Sequence, residues 1–410
     1  MARKMKDSGI EWIGEIPEGW TKNKVIRLFD TIGSGTTPKN ITSDFPVINW
    51  IQSGDITGSF MPACKNVIST SLLSQYSALK VYTAPFIIIA MYGASVGNVS
   101  ISLIDGCVNQ ACCVLSSPLC NLHYAFYTIK SAQIYLIRKA VGGGQPNISQ
   151  DTINQLWLPL PSLSEQESIV HYLDIICSRI DAILNSVHLS IEEYKKLKQA
   201  VITQAVESTA HHTKLKFLMD TIVDCPHETP TYSNAGKYLV IRTADEDLAS
   251  LRPDENMYRL EESEYQKRIR RLSLDRDDIV YGREGERWGL ACIVPESNKY
   301  CLGQRIMQFR CNTKLLYPKY AMYALNSESV YLQGVTDAFG STAPHVNIST
   351  ICNYLLPVHT LPEQKEIANY LDVKCVEIDK LIAKKEQLVK ELENYKKSLI
   401  YEVVTGKREV

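Results

Sequence analysis

Arg283, Arg287 and Arg305 gather on polar loops in the second half of this chain, with Gln304 beside the last of them. A guanidinium offers a planar fork of donors, and an amide offers donors and an acceptor. Such side chains match phosphates and base edges: Arg pairs bidentately with guanine, Gln or Asn with adenine, and Ser or Thr with phosphate oxygens. Each of these residues, taken singly, also fits a solvated surface. The run Lys267-Arg268 and Arg270-Arg271 forms a further basic patch.

Catalytic constellations are missing from the sequence. It contains no Gly-x-x-x-x-Gly-Lys-Ser/Thr phosphate loop, no Gly-x-Gly-x-x-Gly, no Gly-x-Ser-x-Gly elbow and no His-Glu-x-x-His. The Asn-Pro-Pro-Tyr type of motif, with which amino-methyltransferases hold a flipped base, is absent too. His211-His212 falls in a polar linker, where exposure is the expected state. Recognition therefore fits these side chains better than catalysis does.

The elements that position them are organised by a repeat. A shift of 198 positions lays Leu163-Ser164-Glu165-Gln166 on Leu361-Pro362-Glu363-Gln364 without a gap. The same shift lays Tyr172-Leu173-Asp174 on Tyr370-Leu371-Asp372 and Ile180-Asp181 on Ile378-Asp379. Both copies read as long heptad helices. In the first, Leu173, Ile180, Val187, Tyr194 and Val201 form one apolar series and Ile176, Ile183 and Leu197 the other. In the second the series are Leu371, Ile378, Leu392 and Leu399, with Lys385 as an exception, and Leu381, Leu388 and Tyr395. Glu167, three residues after Ser164, predicts a capping box for the first helix. Pro362 suits the first turn of the second, and Gly406 closes it. About 40 residues at about 1.5 Å each make a rod of roughly 60 Å.

Each rod follows a globular stretch, and the two stretches run in the same order. Strands at Val47–Ile51 and residues 86–91 correspond to strands at 238–243 and 278–282. Gly93-x-x-x-Gly97 matches Gly285-x-x-x-Gly289, and Cys107-Val108-Asn109-Gln110 matches Cys301-Leu302-Gly303-Gln304. Helices are expected at 124–138 and 317–331. Asn147-Ile148-Ser149 matches Asn347-Ile348-Ser349. The expected organisation is 1–160 globule, 161–212 helix, 213–360 globule and 361–410 helix. The fold class is α/β (α+β), with a pseudo-twofold internal repeat and the two helices as an antiparallel coiled coil. One frame carrying different loop residues suits two recognition modules with different targets.

Composition sets the bounds. The 410 residues, 45% hydrophobic and 22% charged, suit an ordinary soluble protein of two or three domains. No apolar run is long enough to cross a bilayer, and no apolar core follows the basic start, so neither a membrane partner nor a secretory signal is expected. The twelve cysteines include no Cys-x-x-Cys pair and no zinc-type Cys/His spacing. They are expected as buried thiols in a reducing cytoplasm, with no metal. A net charge of −1 means that any nucleic-acid surface is local or shared with partners.

Three stretches together carry a family resemblance. They are Ser8-Gly9-Ile10-Glu11-Trp12-Ile13-Gly14 running on to Gly19-Trp20, the helix openings quoted above, and Asp224-Cys225-Pro226-His227 with Thr229-Pro230. In duplicate and in this order, they resemble the specificity subunit of a Type I restriction–modification enzyme over nearly the full length. The resemblance implies two target-recognition domains on an antiparallel helix pair, each reading half of a split, asymmetric DNA site. It also implies that the helices dock two modification subunits, which carry S-adenosylmethionine and methylate adenine. A restriction/translocase subunit can join them, and the chain itself holds no cofactor and catalyses nothing.

By position, the expected DNA-facing residues of the first domain are Ser34, Thr36, Thr37, Lys39, Tyr92, Ser95, Gln145 and Asn147. In the second they are His227, Thr229, Arg283, Glu284, Arg287, Gln304, Arg305, Ser341, Thr342 and His345. The expected partner-docking residues are Gln166, Tyr172, Asp174, Gln364, Tyr370 and Asp372. The first domain lacks counterparts of Arg283 and Glu284 in its Gly93–Gly97 loop. The rods would act as a ruler that sets the gap between half-sites. The alternative reading is a coiled-coil adaptor whose globules bind other proteins.

Overall fold

Two helices, Leu163–Glu207 and Leu361–Val404, dominate the computed structural model, which describes residues 3–39, 41, 43–140, 146–338 and 344–410. The chain divides into two compact units, Met1–Ser186 with Val389–Val410, and Val187–Leu388. Each unit therefore takes a part of both long helices. In each, the helix segments pack together and run antiparallel.

Heptad spacing accounts for the helices, but the buried seam departs from the expected one. The first apolar series holds: Leu173, Ile180 and Val187, and likewise Leu371, Ile378 and Leu399, are buried. The second seam position lies one residue later than expected. It is filled by Cys177, Leu184, Ile191 and Lys198 in the first helix, and by Cys375, Ile382, Val389 and Lys396 in the second. Ile183, Leu197, Leu381, Leu388 and Tyr395, expected in the seam, are instead 40–49% exposed. A drift of 3.6 against 3.5 residues per turn makes adjacent positions compete for the seam, and here aliphatic side chains, cysteines and lysine stems one residue later take it.

The caps differ as well. The Ser162 hydroxyl, not Ser164, accepts from the Glu165 N–H at 3.3 Å, so the first helix starts there. The second is capped by Thr360, whose N–H and hydroxyl both donate to Glu363 Oε2, at 2.9 and 2.7 Å. At its far end Gly406 takes φ +72°, and a Cβ there would stand 2.4 Å from Pro17 Cγ. That left-handed close is open to glycine without strain.

The first unit carries a five-stranded sheet in the order Phe29–Gly33, Cys112–Pro118, Phe86–Ala90, Val99–Ser102, Phe60–Met61. A three-stranded sheet, Cys107–Val108, Val47–Ile51, Asn66–Ser69, stands beside it. The Phe86–Ala90 strand is buried at every position, which its unbroken apolar run dictates. The expected 124–138 helix is two helices, Leu122–Ser131 and Gln133–Arg138, broken at Ala132. Their apolar faces, Ile87, Ile101 and the long-helix residues Leu173, Ile180, Leu399 and Val403 form one core. Each fully buried aliphatic side chain stabilises such a core by about 1.5–3 kcal/mol.

The second unit repeats this plan. A four-stranded sheet runs Met219–Asp224, Ile306–Cys311, Ile279–Gly282, Ala291–Ile293. A three-stranded one runs Tyr258–Leu260, Tyr238–Ile241, Tyr300–Leu302. Its helices are Pro318–Leu325 and Glu328–Ala338. Ile202, Val206, Leu371 and Cys375 of the long helices join Tyr281, Phe309 and Tyr320 in its core.

The same side chains brace each unit to its helix. The Tyr124 hydroxyl donates to Pro159 O at 2.8 Å, and Tyr320 does the same to Pro357 O at 3.0 Å. Tyr127 donates to Asp174 at 2.6 Å, and Tyr323 to Asp372 at 2.8 Å. The Asn121 N–H donates to Gln166 Oε1 at 2.8 Å, and the Tyr317 N–H to Gln364 Oε1 at 2.7 Å. Burial raises the pKa of the Tyr127 and Tyr323 hydroxyls, so both stay protonated donors.

Candidate nucleic-acid interface

In the first unit, three polar segments meet at one end of the sheet. A Cβ on Gly35 would stand 1.7 Å from Val108 O, so the loop after the Phe29–Gly33 strand crosses that segment only because glycine is there. The loop is held by its own side chains. Thr37 Oγ1 donates to Gln110 Oε1 at 2.5 Å, Ser34 Oγ to Gln110 O at 3.4 Å, and the Lys39 N–H to the Tyr76 hydroxyl at 3.1 Å. Lys39 is exposed and Thr36 half-buried. Tyr92 bridges Asn147 through the main chain. Ser95 turns inward, donating to Ser53 O at 2.7 Å. Gln110 is exposed at this meeting point. Its match to Gln304 was visible in the sequence, yet it was not among the expected readers.

The second unit closes its loops with buried charge. The Arg283 side chain is only 9% exposed. Its Nε lies 3.4 Å from Asp224 Oδ1, and Nη2 lies 2.5 Å from Glu284 Oε1. Arg283 is thus an internal ion-pair partner, where the sequence suggested a base reader. The Arg283 N–H donates to Arg305 O at 2.9 Å, and its own carbonyl accepts from Val346 N at 3.1 Å. Glu284 bridges His345 through the main chain, as Tyr92 does Asn147. Arg305 holds φ +70°, a strained state for a non-glycine residue, with its N–H donating to Cys225 Sγ at 3.2 Å.

His227, Thr229 and Arg305 are exposed at the head of this cluster, and Arg287, Gln304 and His345 half-exposed. His227 Nε2 stands 2.9 Å from Asp224 Oδ2, and Gln304 Nε2 reaches His227 O at 3.5 Å. Arg287 lies 3.5 Å from Asp247 at the margin. The exposed tips offer donors of the type that reads phosphates and base edges. Gln145, Ser341 and Thr342 lie outside the described residues.

Asp224, Cys225 and His227 bring one oxygen, one sulfur and one nitrogen within 4.8 Å of one another. A guanidinium already shares this carboxylate, and a main-chain N–H already uses the sulfur. Burial also raises the Cys225 pKa, which disfavours the thiolate a metal needs. The cluster reads as an ion-pair and hydrogen-bond network.

The residues expected to meet partners fall into two groups. Gln166 and Gln364 are buried, and both ends of each amide are bonded inside their own unit, so neither faces a partner here. Asp174 and Asp372 are half-buried and receive the Tyr127 and Tyr323 hydroxyls, while Asp372 also pairs with Lys319 at 2.6 Å. Tyr172 is half-buried, and Tyr370 is 51% exposed.

Two units on one framework, each closing a different set of polar side chains into a head, define a two-headed recognition protein. The chain belongs to the family of Type I restriction modification DNA specificity domains, which it matches twice, over residues 17–193 and 225–394. It is 23% identical over 305 residues to the Type I restriction enzyme MjaVIII specificity subunit of Methanocaldococcus jannaschii, covering 69% of each chain. It is 25% identical over 407 residues to the StySPI specificity subunit of Salmonella potsdam, covering 88% of this chain and 82% of that one. Its fold matches a chain from a solved structure concerned with complex assembly and conformational transition of the type I R-M system. That match has a TM-score of 0.70 at 16% identity and covers 95% of this chain and 98% of that one. The chain is a DNA-sequence-recognition subunit of this system, and the adaptor alternative is not favoured.

Proposed function

We propose that each unit reads one half of a bipartite, asymmetric DNA site and that the long helices dock two adenine-methyltransferase subunits. The observation that carries the first part is the contrast between the heads. At matching places on one framework, the first unit carries Tyr92, Ser95 and Ala111 where the second carries Glu284, Arg287 and Arg305. Different donors and acceptors on equivalent loops select different bases. Phosphate contacts shared with the partner subunits supply affinity that a chain of net charge −1 lacks on its own.

The second part is supported by Ile183, Leu197, Leu381, Leu388 and Tyr395, a heptad-spaced set left outside the seam. Apolar rows on paired helices suit coverage by helices of another subunit. S-adenosylmethionine would be carried by those subunits, a restriction subunit can join them, and this chain is non-catalytic. All twelve cysteines are free thiols, which supports a reducing, cytoplasmic setting. No helix of the described residues is long and apolar enough to cross a membrane.

Replacing residues 1–160 with the corresponding domain of another family member tests the modular reading. One half-site should change and the other stay. Alteration of both halves would contradict it.

A further inference from the structure

We propose that Arg268 is a positioning residue that sets base readout in the second unit by fastening two DNA-facing loops to each other. The proposal deepens the DNA-reading assignment above and rests on it. Arg268 ends the Glu262–Arg268 helix and is 5% exposed. Its Nε and Nη2 donate to Leu302 O at 3.2 and 3.1 Å, and its Nη1 donates to Glu228 O at 2.8 Å. Leu302 leads directly into Gly303, Gln304 and Arg305, and Glu228 lies between His227 and Thr229. One planar cation therefore fixes the separation of the two segments that carry the exposed tips.

Sequence alone places Arg268 in a solvated basic run with Lys267, Arg270 and Arg271. The structure buries it and spends its donors on main-chain carbonyls. Burying a guanidinium is unfavourable unless its donors are satisfied, and a residue needed only for packing would serve better as an apolar side chain. The neighbouring Arg271 adds a bond from Nη1 to Asp224 O at 3.2 Å, at the end of the strand that leads into the loop of His227 and Thr229. Arg305 keeps its left-handed backbone while its N–H is held by Cys225 and its carbonyl by Arg283. Arg268 anchors the segment just before it. The first unit ties its corresponding loop differently, through the Tyr76 hydroxyl on the Lys39 N–H. Among the described residues, no arginine of the first unit makes such a double tie.

The test is selection from a random-sequence duplex pool by the full chain in complex with its methyltransferase subunits, for wild type, Arg268→Gln and Arg268→Lys, with thermal melting of each. Arg268→Gln should flatten the half-site read by the second unit, losing about tenfold or more in discrimination at one or more positions. The other half-site should keep its letters. Arg268→Lys keeps the charge but cannot span both carbonyls, and should retain part of the discrimination if the Gln variant fails to fold. An unchanged second half-site in either variant overturns the proposal. So does a uniform loss of affinity with all letters retained, which would mark a purely structural residue. A wild-type complex that enriches no sequence would instead overturn the DNA-reading assignment itself.

Discussion

Lys198 on the first long helix places its ammonium 2.9 Å from both carboxylate oxygens of Asp379 on the second. The shift that relates the helix copies carries Asp181 onto Asp379 and Lys198 onto Lys396, and in the first unit Lys396 pairs with Asp181 at 2.5 Å. The same pair is thus made twice with the helices exchanging roles, as an antiparallel arrangement requires. The two pairs differ in burial. The Lys198 side chain is 6% exposed, against 19% for Lys396. Asp379→Asn should cost about 1–3 kcal/mol, because it strips a buried ammonium of its counter-charge. Asp181→Asn should cost about 1 kcal/mol or less. Denaturant unfolding of both variants checks the order, and equal losses would count against it.

Arg283→Ala should behave as loss of an internal tie. Asp224 and Glu284 would lose their shared cation, and about 2–4 kcal/mol of stability should go with it. Base preference should relax at more than one position of that half-site. A clean relaxation at a single base with stability intact would restore Arg283 as a direct reader.

Glu246 is fully buried, and neither carboxylate oxygen has a hydrogen-bond partner. Burial raises its pKa well above the ordinary carboxylate value, with Arg287 pulling it down and Asp245 adding to the rise. The folded chain therefore holds this proton to higher pH than the unfolded chain does. Its contribution is full below the unfolded pKa and is lost as pH rises toward the folded one. Glu246→Gln should be more stable than wild type by about 1 kcal/mol or more near neutral pH, and the gap should close toward about pH 4. A pH-independent difference would refute this. In the first unit the residue after the corresponding capped turn is the buried Ile56, so the frame itself has no need of a carboxyl there.

Deleting one heptad from both long helices at matching positions should change the preferred gap between half-sites and leave their letters alone. Selected sites from the shortened complex provide the measurement. An unchanged gap would remove the ruler from the account.

The helices were legible because a heptad period survives in any sequence that keeps one face apolar. Their second seam was not, because Leu184, Ile382 and Val389 stand directly beside the equally apolar Ile183, Leu381 and Leu388, and Lys198 and Lys396 do not read as core by type. The burial of Lys198 follows from Asp379, which local pattern cannot supply. The strands came through as apolar runs, and the paired loops as matching Gly and Gln positions. What lay hidden was which loop charges turn inward. Arg283 and Arg268 look like surface residues until Asp224, Glu228 and Leu302 are brought beside them. Gln166 and Gln364 stood out as motif residues, but their bonds to Asn121 and Tyr317 join segments far apart in the chain.

Sequencing the methylated bases of DNA modified by this chain together with its methyltransferase subunits tests the central claim most directly. A single motif of two unlike half-sites, separated by a fixed unspecified gap and methylated on adenine, is the predicted result. A continuous motif, or methylation without sequence preference, would contradict it.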